Sequence, residues 1–265
     1  MNAGRAPSCG LRTEGGAPHG SVLEPPCRTR AAPDASRTRP KAVGQPLRIG
    51  HRGAAGYRPE NTVSSILNAL ERGVDLVEVD VRRSRDGHLV LLHDAGVDRT
   101  TDGSGLVAEM SLRELRRLDA GGGERIPTLE EALAAACGRA GLLLEVKAEA
   151  LGEQVYWTVA TADFPGPVVY ASFLHGEVLA IRRMDRQALG MALLEGVPVQ
   201  PTAFAREARA THVGLSLASA TPGFVRALHA DGFQVVVYTV NEPDEIDRTK
   251  SLGVDGIISD FPDRL

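Results

Sequence analysis

At four places in this sequence an apolar run gives way to side chains that can carry charge or protons. Ile49-Gly50 leads into His51-Arg52, and Glu78-Val79-Asp80-Val81 alternates acid with valine. His93-Asp94 follows Leu89–Leu92, and Glu145-Val146-Lys147 follows Leu142–Leu144. If these runs are strands, a side-chain period of two sends Glu78 and Asp80 to one face. It likewise aligns Leu143, Glu145 and Lys147. Carboxylates pointing into a protein interior are costly unless a cation neutralises them. Glu60, Glu78, Asp80 and Glu145 give the set four acids, beside two histidines, one arginine and one lysine. Oxygen ligands suit a hard divalent cation, Mg²⁺ or Ca²⁺, better than Zn²⁺, which favours His and Cys. One such cation with Arg52 and Lys147 makes a positive clamp for a phosphoryl group. An imidazole can gain or lose a proton near neutral pH, so His51 and His93 can divide the general-base and general-acid roles. The chemistry implied is phosphodiester cleavage.

Each of these residues also has a plain structural reading. Glu145 and Lys147 can be a surface ion pair, His51-Arg52 a loop pair and His93 a satisfied core histidine. Glu60, just ahead of a helix, can complement the helix dipole. What outweighs these readings is succession: four strand ends in a row break the apolar pattern with complementary charges. His88, His212 and His229 have no such neighbours. His175 follows a strand, but entry into a helix explains it equally well.

The elements that must position the set are strands and helices in alternation. Strands are expected at Leu47–Gly50, Leu76–Val81, Leu89–Leu92, Leu142–Lys147, Val168–Ser172, Ala188–Leu194, Val213–Leu217, Gln234–Val240 and Gly256–Ser259. Helices are expected at Thr62–Arg72, capped by Asn61 or Thr62, and at Ser111–Leu118, Thr128–Cys137, Leu151–Ala160 and Glu177–Met184. Further helices are expected at Ala203–Ala210, Thr221–Ala230 and Pro243–Leu252. Apolar strands joined by crossover helices predict a parallel sheet, and eight principal strands fit an α/β (β/α)8 TIM barrel. A doubly wound sheet is the alternative, but no glycine-rich dinucleotide turn follows the first strand. The chain ends soon after the last strand, so the final helix of the barrel is missing or vestigial.

The chain has 265 residues and a formal net charge of −4, distributed unevenly. Residues 1–46 hold seven prolines and seven basic side chains against three acids, with no Ile, Phe, Tyr or Trp. That composition predicts a disordered N-terminal extension, or translation from an upstream start, followed by the catalytic domain at 47–265. No apolar run is long enough for a transmembrane helix or a secretory signal. No clustered basic face suits a nucleic acid. Cys9, Cys27 and Cys137 lack metal-ligand spacing, and an odd count is a poor disulfide framework. Together these features predict a cytoplasmic protein. They leave its oligomeric state open.

Several of these segments resemble the motifs of the glycerophosphodiester phosphodiesterase family, in order and over about residues 47–263. They are His51-Arg52-Gly53 with Pro59-Glu60-Asn61-Thr62, Glu78-Val79-Asp80, and His93-Asp94 with Arg99-Thr100-Thr101-Asp102-Gly103. Ile126–Glu130, Glu145-Val146-Lys147, Tyr238–Asn241 and Gly253–Asp260 continue the series. The resemblance implies Glu78, Asp80 and Glu145 as ligands of one Mg²⁺ or Ca²⁺, with Glu60 beside the metal. It implies His51 and His93 as the acid–base pair and Arg52 and Lys147 on the phosphate. It also implies a glycerophosphodiester substrate, cleaved to sn-glycerol 3-phosphate and an alcohol through attack by the substrate's own glycerol hydroxyl. Tyr238 stands where the family commonly has Trp, keeping an aromatic wall with a smaller face and an added hydroxyl.

Two other readings fit the same residues. A lysophospholipase D-like enzyme on this barrel needs an exposed apolar rim or membrane anchor, and the sequence offers no amphipathic basic helix or apolar loop insertion. A non-catalytic barrel that binds phosphate esters needs a lost acid or histidine, and none is lost.

Overall fold

The computed structural model describes residue 1 and residues 45–265. The extension expected over residues 1–46 therefore lies almost wholly outside the described residues. The chain builds β1 (Leu47–Gly50), α1 (Val63–Glu71), β2 (Leu76–Arg83), β3 (Leu89–Leu91), α2 (Leu112–Leu115), α3 (Leu129–Ala136) and β4 (Gly141–Val146). It continues with α4 (Gly152–Thr161), β5 (Val168–Ser172), α5 (His175–Met184), β6 (Leu189–Leu194) and α6 (Ala203–Glu207). The last elements are β7 (His212–Ser216), α7 (Pro222–Ala230), β8 (Gln234–Tyr238), α8 (Pro243–Ser251) and β9 (Gly256–Ser259).

Eight of these strands pair in parallel, in the order β1-β9-β8-β7-β6-β5-β4-β2, and β1 pairs with β2 to close the barrel. The ninth, β3, runs antiparallel to β2 beyond the barrel's mouth, with Val81 opposite Leu91. It is a hairpin arm that carries His93 and forms no part of the barrel wall.

Alternation along the strands sorts two apolar layers. Ile49, Leu76, Leu143, Met191, Val236 and Ile258 fill the barrel interior. Val77, Val79 and Val81 of β2, with Leu142, Leu144 and Val146 of β4, face outward against residues of α1, α3 and α4. Glu78 and Asp80 are thereby turned inward, as the period of two requires. In register they sit beside Leu143 and Glu145 of β4.

Among the described residues, β9 is followed by a single 3₁₀ turn at Pro262–Arg264. An interlock of rings and cations covers that side. The Phe261 ring meets Tyr57 edge-on at 5.3 Å, and the Arg72 guanidinium lies 3.7 Å over the Tyr57 ring. Arg48 donates to the Pro262 carbonyl at 2.9 Å, and Tyr57 donates to Asp263. Gly56 is needed here, because a Cβ at that position would lie 2.3 Å from the Phe261 ring.

Most expected elements form within a residue or two of their predicted ends. The largest shortfall is the helix expected at Ser111–Leu118, which covers only Leu112–Leu115. A capping box between Ser111 and Glu114 starts it. Leu118 then turns in to pack with Leu112 and Leu115, and Gly121, Gly122 and Gly123 all take positive φ. Cys137, at the C-cap of α3, is disulfide-bonded, against the reading of the odd cysteine count. Among the described residues no helix is long and apolar enough to cross a membrane.

Candidate active site

All the charged strand ends meet at the mouth formed by the C-terminal ends of the parallel strands. Barrel enzymes carry their chemistry on this face. Glu78, Asp80 and Glu145 bring carboxylate oxygens within 4.8 Å of one another. Glu78 and Asp80 are 3% and 1% exposed, so almost no water reaches them. Glu78 Oε2 accepts the Arg52 backbone N–H at 2.7 Å, while Glu78 Oε1 is buried without a hydrogen-bond partner. Asp80 Oδ2 accepts from Asn61 at 2.8 Å, and Asp80 Oδ1 has only the Lys147 ammonium at 3.5 Å. Burial, with the Asp80 and Glu145 charges alongside, pushes Glu78 up to about 8. The same causes raise Glu145, although Lys147 donates to it at 2.5 Å. Three carboxylates with oxygens left over, in a dry pocket, fit a hard divalent cation with oxygen ligands.

The loop after β1 is bent to serve this cluster. Arg52 takes φ +50 and Asn61 φ +58, both left-handed and uncommon for residues other than glycine. In that conformation the Arg52 N–H reaches Glu78, and the Arg52 carbonyl accepts from Ser65 Oγ at 2.8 Å and from the Asn61 N–H. Gly53, at φ +91, cannot be replaced there, since a Cβ would stand 2.3 Å from Ser65 Oγ. Thr62 is the N-cap of α1; its hydroxyl accepts from Ser65 N. Asn61 is thereby free to grip Asp80 twice, accepting from its backbone N–H at 3.0 Å and donating to its carboxylate.

Each histidine is backed by an aspartate. His51 Nδ1 lies 2.6 Å from Asp260 Oδ1, and His93 Nδ1 lies 2.6 Å from Asp94 Oδ1. With Nδ1 donating to the carboxylate, the lone pair of the neutral imidazole stays on Nε2. Burial opposes the charged form of His51, but the Asp260 hydrogen bond and the Glu78 charge outweigh it and raise its pKa. Burial also acts on Asp260, whose pKa is nonetheless lowered by His51 and by Asn241, which donates to it at 2.7 Å. Asp94 is held well below the carboxylate range by hydrogen bonds from Arg99 and His93.

Glu60 is not among the three clustered carboxylates. Its oxygens accept from Arg52 Nη1 at 2.7 Å and from Arg99 at 2.7 and 2.9 Å. The Glu60–Arg52 pair brings a guanidinium to the cluster, with Arg52 Nε 3.4 Å from Asp80 Oδ2. Lys147 is anchored at the end of β4 by its N–H on the Val81 carbonyl. Tyr238 is half-buried; its hydroxyl donates to the Leu194 carbonyl at 3.2 Å, and its ring stands edge-on to Phe173 at 6.0 Å. Burial, with Glu195 and Glu145 nearby, raises the Tyr238 phenol above its usual range. With the hydroxyl so engaged, Tyr238 offers the mouth an aromatic face.

All nine residues named from the sequence therefore come to one rim. Sequence reasoning quoted five further residues in its motifs without giving them their supporting roles: Asp260 and Asn241 behind His51, Asp94 and Arg99 behind His93, and Asn61 on Asp80. Asp260 follows the last strand, and a closed barrel must bring that strand beside β1. That adjacency is the one signal that could have placed it next to His51.

Residues 51–264 match the model of the glycerophosphoryl diester phosphodiesterase family. A glycerophosphodiester phosphodiesterase of Caldanaerobacter subterraneus is 33% identical over 233 residues, covering 83% of this chain and 96% of that protein. One of Bacillus altitudinis is 33% identical over 232 residues, covering 82% and 95%. Among solved structures, an Oleispira antarctica phosphodiesterase in complex with its product sn-glycerol-3-phosphate superposes with a TM-score of 0.77. It is 29% identical to this chain and covers 82% of it and 94% of that structure.

Proposed function

The chain belongs to the glycerophosphoryl diester phosphodiesterase family, and from that premise we propose that it hydrolyses glycerophosphodiesters to sn-glycerol 3-phosphate and an alcohol. The observation that carries this reading is the dry group of Glu78, Asp80 and Glu145, with two carboxylate oxygens lacking hydrogen bonds. Arg52, Lys147 and two aspartate-backed histidines stand around it. The product seen in the Oleispira antarctica structure supports the glycerol half of the assignment.

Glu78, Asp80 and Glu145 would hold one divalent cation, Mg²⁺ or Ca²⁺, which supplies positive charge for the phosphoryl oxygens. Arg52 and Lys147 bind the phosphate from either side of that cluster and stabilise the charge that builds up on it. His51 and His93 present Nε2 to the reacting atoms. One takes the proton of the attacking glycerol hydroxyl, and the other gives a proton to the departing alcohol. When water opens the resulting cyclic phosphate, the two exchange roles. Tyr238 forms an apolar wall that orients the glycerol and keeps water from one side. Glu60 holds Arg52 at the phosphate.

The test is release of sn-glycerol 3-phosphate from glycerophosphocholine, followed with and without chelator. Activity is expected to vanish with EDTA, to return with Mg²⁺ or Ca²⁺, and to be absent in His51→Ala. Full turnover in chelator, or in His51→Ala, would overturn the assignment of roles.

One observation favours a second reading. Phe173 and Leu174 after β5, and Val197 and Val199 after β6, are exposed on adjacent loops of the mouth. An apolar rim of this kind suits an alcohol bearing a hydrocarbon chain, as in a lysophospholipid. Turnover of lysophosphatidylcholine exceeding that of glycerophosphocholine would favour it.

A further inference from the structure

We propose that Arg82 is a positioning residue of the reaction, a guanidinium brace that fixes the spacing of His93 and Lys147 by holding the backbone carbonyl of each. The inference rests on the roles given above to those two residues. Arg82 lies two residues beyond Asp80 and four beyond Glu78 on β2, so the period of two turns it toward the same open end. Its Nε and Nη2 donate to the His93 carbonyl at 2.9 and 2.7 Å, and its Nη1 donates to the Lys147 carbonyl at 3.3 Å. Among the described residues no carboxylate lies within ion-pair distance of it. A half-buried guanidinium spent entirely on two carbonyls is an unusual use of a charge, since the simplest partner for arginine is an acid.

The two residues it holds have little else in common. His93 leaves the hairpin arm β3, and Lys147 leaves the barrel strand β4. Both segments hang on the backbone of β2 from their N–H side: Leu92 N–H on the Asp80 carbonyl and Lys147 N–H on the Val81 carbonyl, each at 3.1 Å. Arg82 supplies the complementary hold on the carbonyl side. One strand therefore carries two of the three clustered carboxylates and also the device that sets an acid–base histidine against a phosphate-binding lysine. A planar fork suits this task, because its donors point in fixed directions and can reach two carbonyls at once. A lysine at position 82 keeps the charge but loses the planar fork whose three nitrogens are placed on the two carbonyls together.

The experiment compares wild type, Arg82→Lys and Arg82→Met by kinetics on glycerophosphocholine, thermal melting, and ¹H–¹⁵N imidazole spectra assigned with His93→Gln. Both variants are expected to lose about 10- to 100-fold in kcat. KM should move by less than about threefold. Lys should be no better than Met, and the His93 signals should shift or broaden while those of His51 hold. Wild-type kcat in Arg82→Lys would overturn the brace, since charge alone would then suffice. Unperturbed His93 signals in an active, folded variant would overturn it as well, as would a kcat loss that only tracks a loss of folded protein. If the wild type turns over no glycerophosphodiester, the phosphodiesterase reading falls. The His93 spectra still decide the brace, because they need no turnover.

Discussion

The two histidines each have an aspartate as immediate partner, in unlike surroundings. His51 sits in the seam where β1 meets β9, and its aspartate is held by a neutral amide: Asn241 donates to the Asp260 carboxylate and accepts from the Asp260 N–H. His93 sits on the hairpin arm, and its aspartate is held by a cation. Arg99 donates to Asp94 at 2.6 Å and reaches on to Glu60, which in turn holds Arg52. Arg99 is 48% exposed, against 19% for His51. Neutral hydrogen bonds suit the seam because burying them carries no ionic desolvation cost. Charge pairs suit the rim, where each is weak and several must act together. The first support is therefore expected to depend little on salt, and the second to weaken as salt rises. Asp260 keeps its charge for His51, whereas Asp94 shares its charge with Arg99.

The contrast breaks most severely at Asp260. Asp260→Asn keeps the shape but removes the carboxylate that fixes the imidazole tautomer. Its kcat on a glycerophosphodiester should fall about 10³- to 10⁴-fold, by analogy with loss of the aspartate from a catalytic triad. Metal binding, followed by calorimetry, should stay near wild type, since none of the three clustered carboxylates is altered. A fall of less than tenfold would mean that His51 does not depend on this partner. Arg99→Met is the matching cut on the other side. There Asp94 stays charged and bonded to His93, so the expected loss is smaller, about tenfold in kcat. Raising ionic strength from 0.05 to 0.5 M shortens the Debye length to a few ångströms, so it should cost wild type more of its kcat than Arg99→Met. Equal salt sensitivity in the two proteins would show that the chain of charges on the rim does not support His93.

The same contrast explains what could be read from the sequence. The barrel was legible because eight strands with apolar outer faces leave a strong period, and Glu78, Asp80 and Glu145 were legible because they interrupt it. The cap of α1 could be narrowed to Asn61 or Thr62 because a cap is a local feature. Asp260 and His51 are 209 residues apart, and Arg99 and Glu60 are 39 apart. A single polar residue on a loop has no period, so nothing local says which distant loop it will touch. The hairpin arm was legible as a strand beyond the eight principal ones, because the turn signal at Asp86-Gly87 is local. The cover over β1 and β9 was illegible for the same reason as those loop contacts. Tyr57, Arg72 and Phe261 form one stack only once the barrel has closed.

The smallest expected effect is on stability, and it arises in the space between the two histidines. Without a cation, burial and the Asp80 charge push the folded-state pKa of Glu78 up to about 8, against 4.5 for an ordinary glutamate. Below 4.5 both folded and unfolded chains carry that proton, and the contribution to stability is fully present. As pH rises from there, the unfolded chain gives up its proton first, and stability is lost until the folded pKa is passed. His51 acts in the same direction over a higher window, because its raised pKa gives stability that fades as pH climbs past 6.5. Each group adds a slope of at most about 1.4 kcal/mol per pH unit within its window. The melting temperature of the chelated protein should therefore fall steadily between pH 5 and 8.5. Glu78→Gln should flatten most of that fall, and Asp260→Asn only its upper part, since Asp260 supports the His51 charge and leaves the Glu78 cluster untouched. A divalent cation, by favouring ionised carboxylates, should raise the melting temperature most at the alkaline end. A chelated protein whose melting temperature is flat over this range would mean that Glu78 titrates in the folded protein as it does in the unfolded chain, and that its burial is not what calls for a cation.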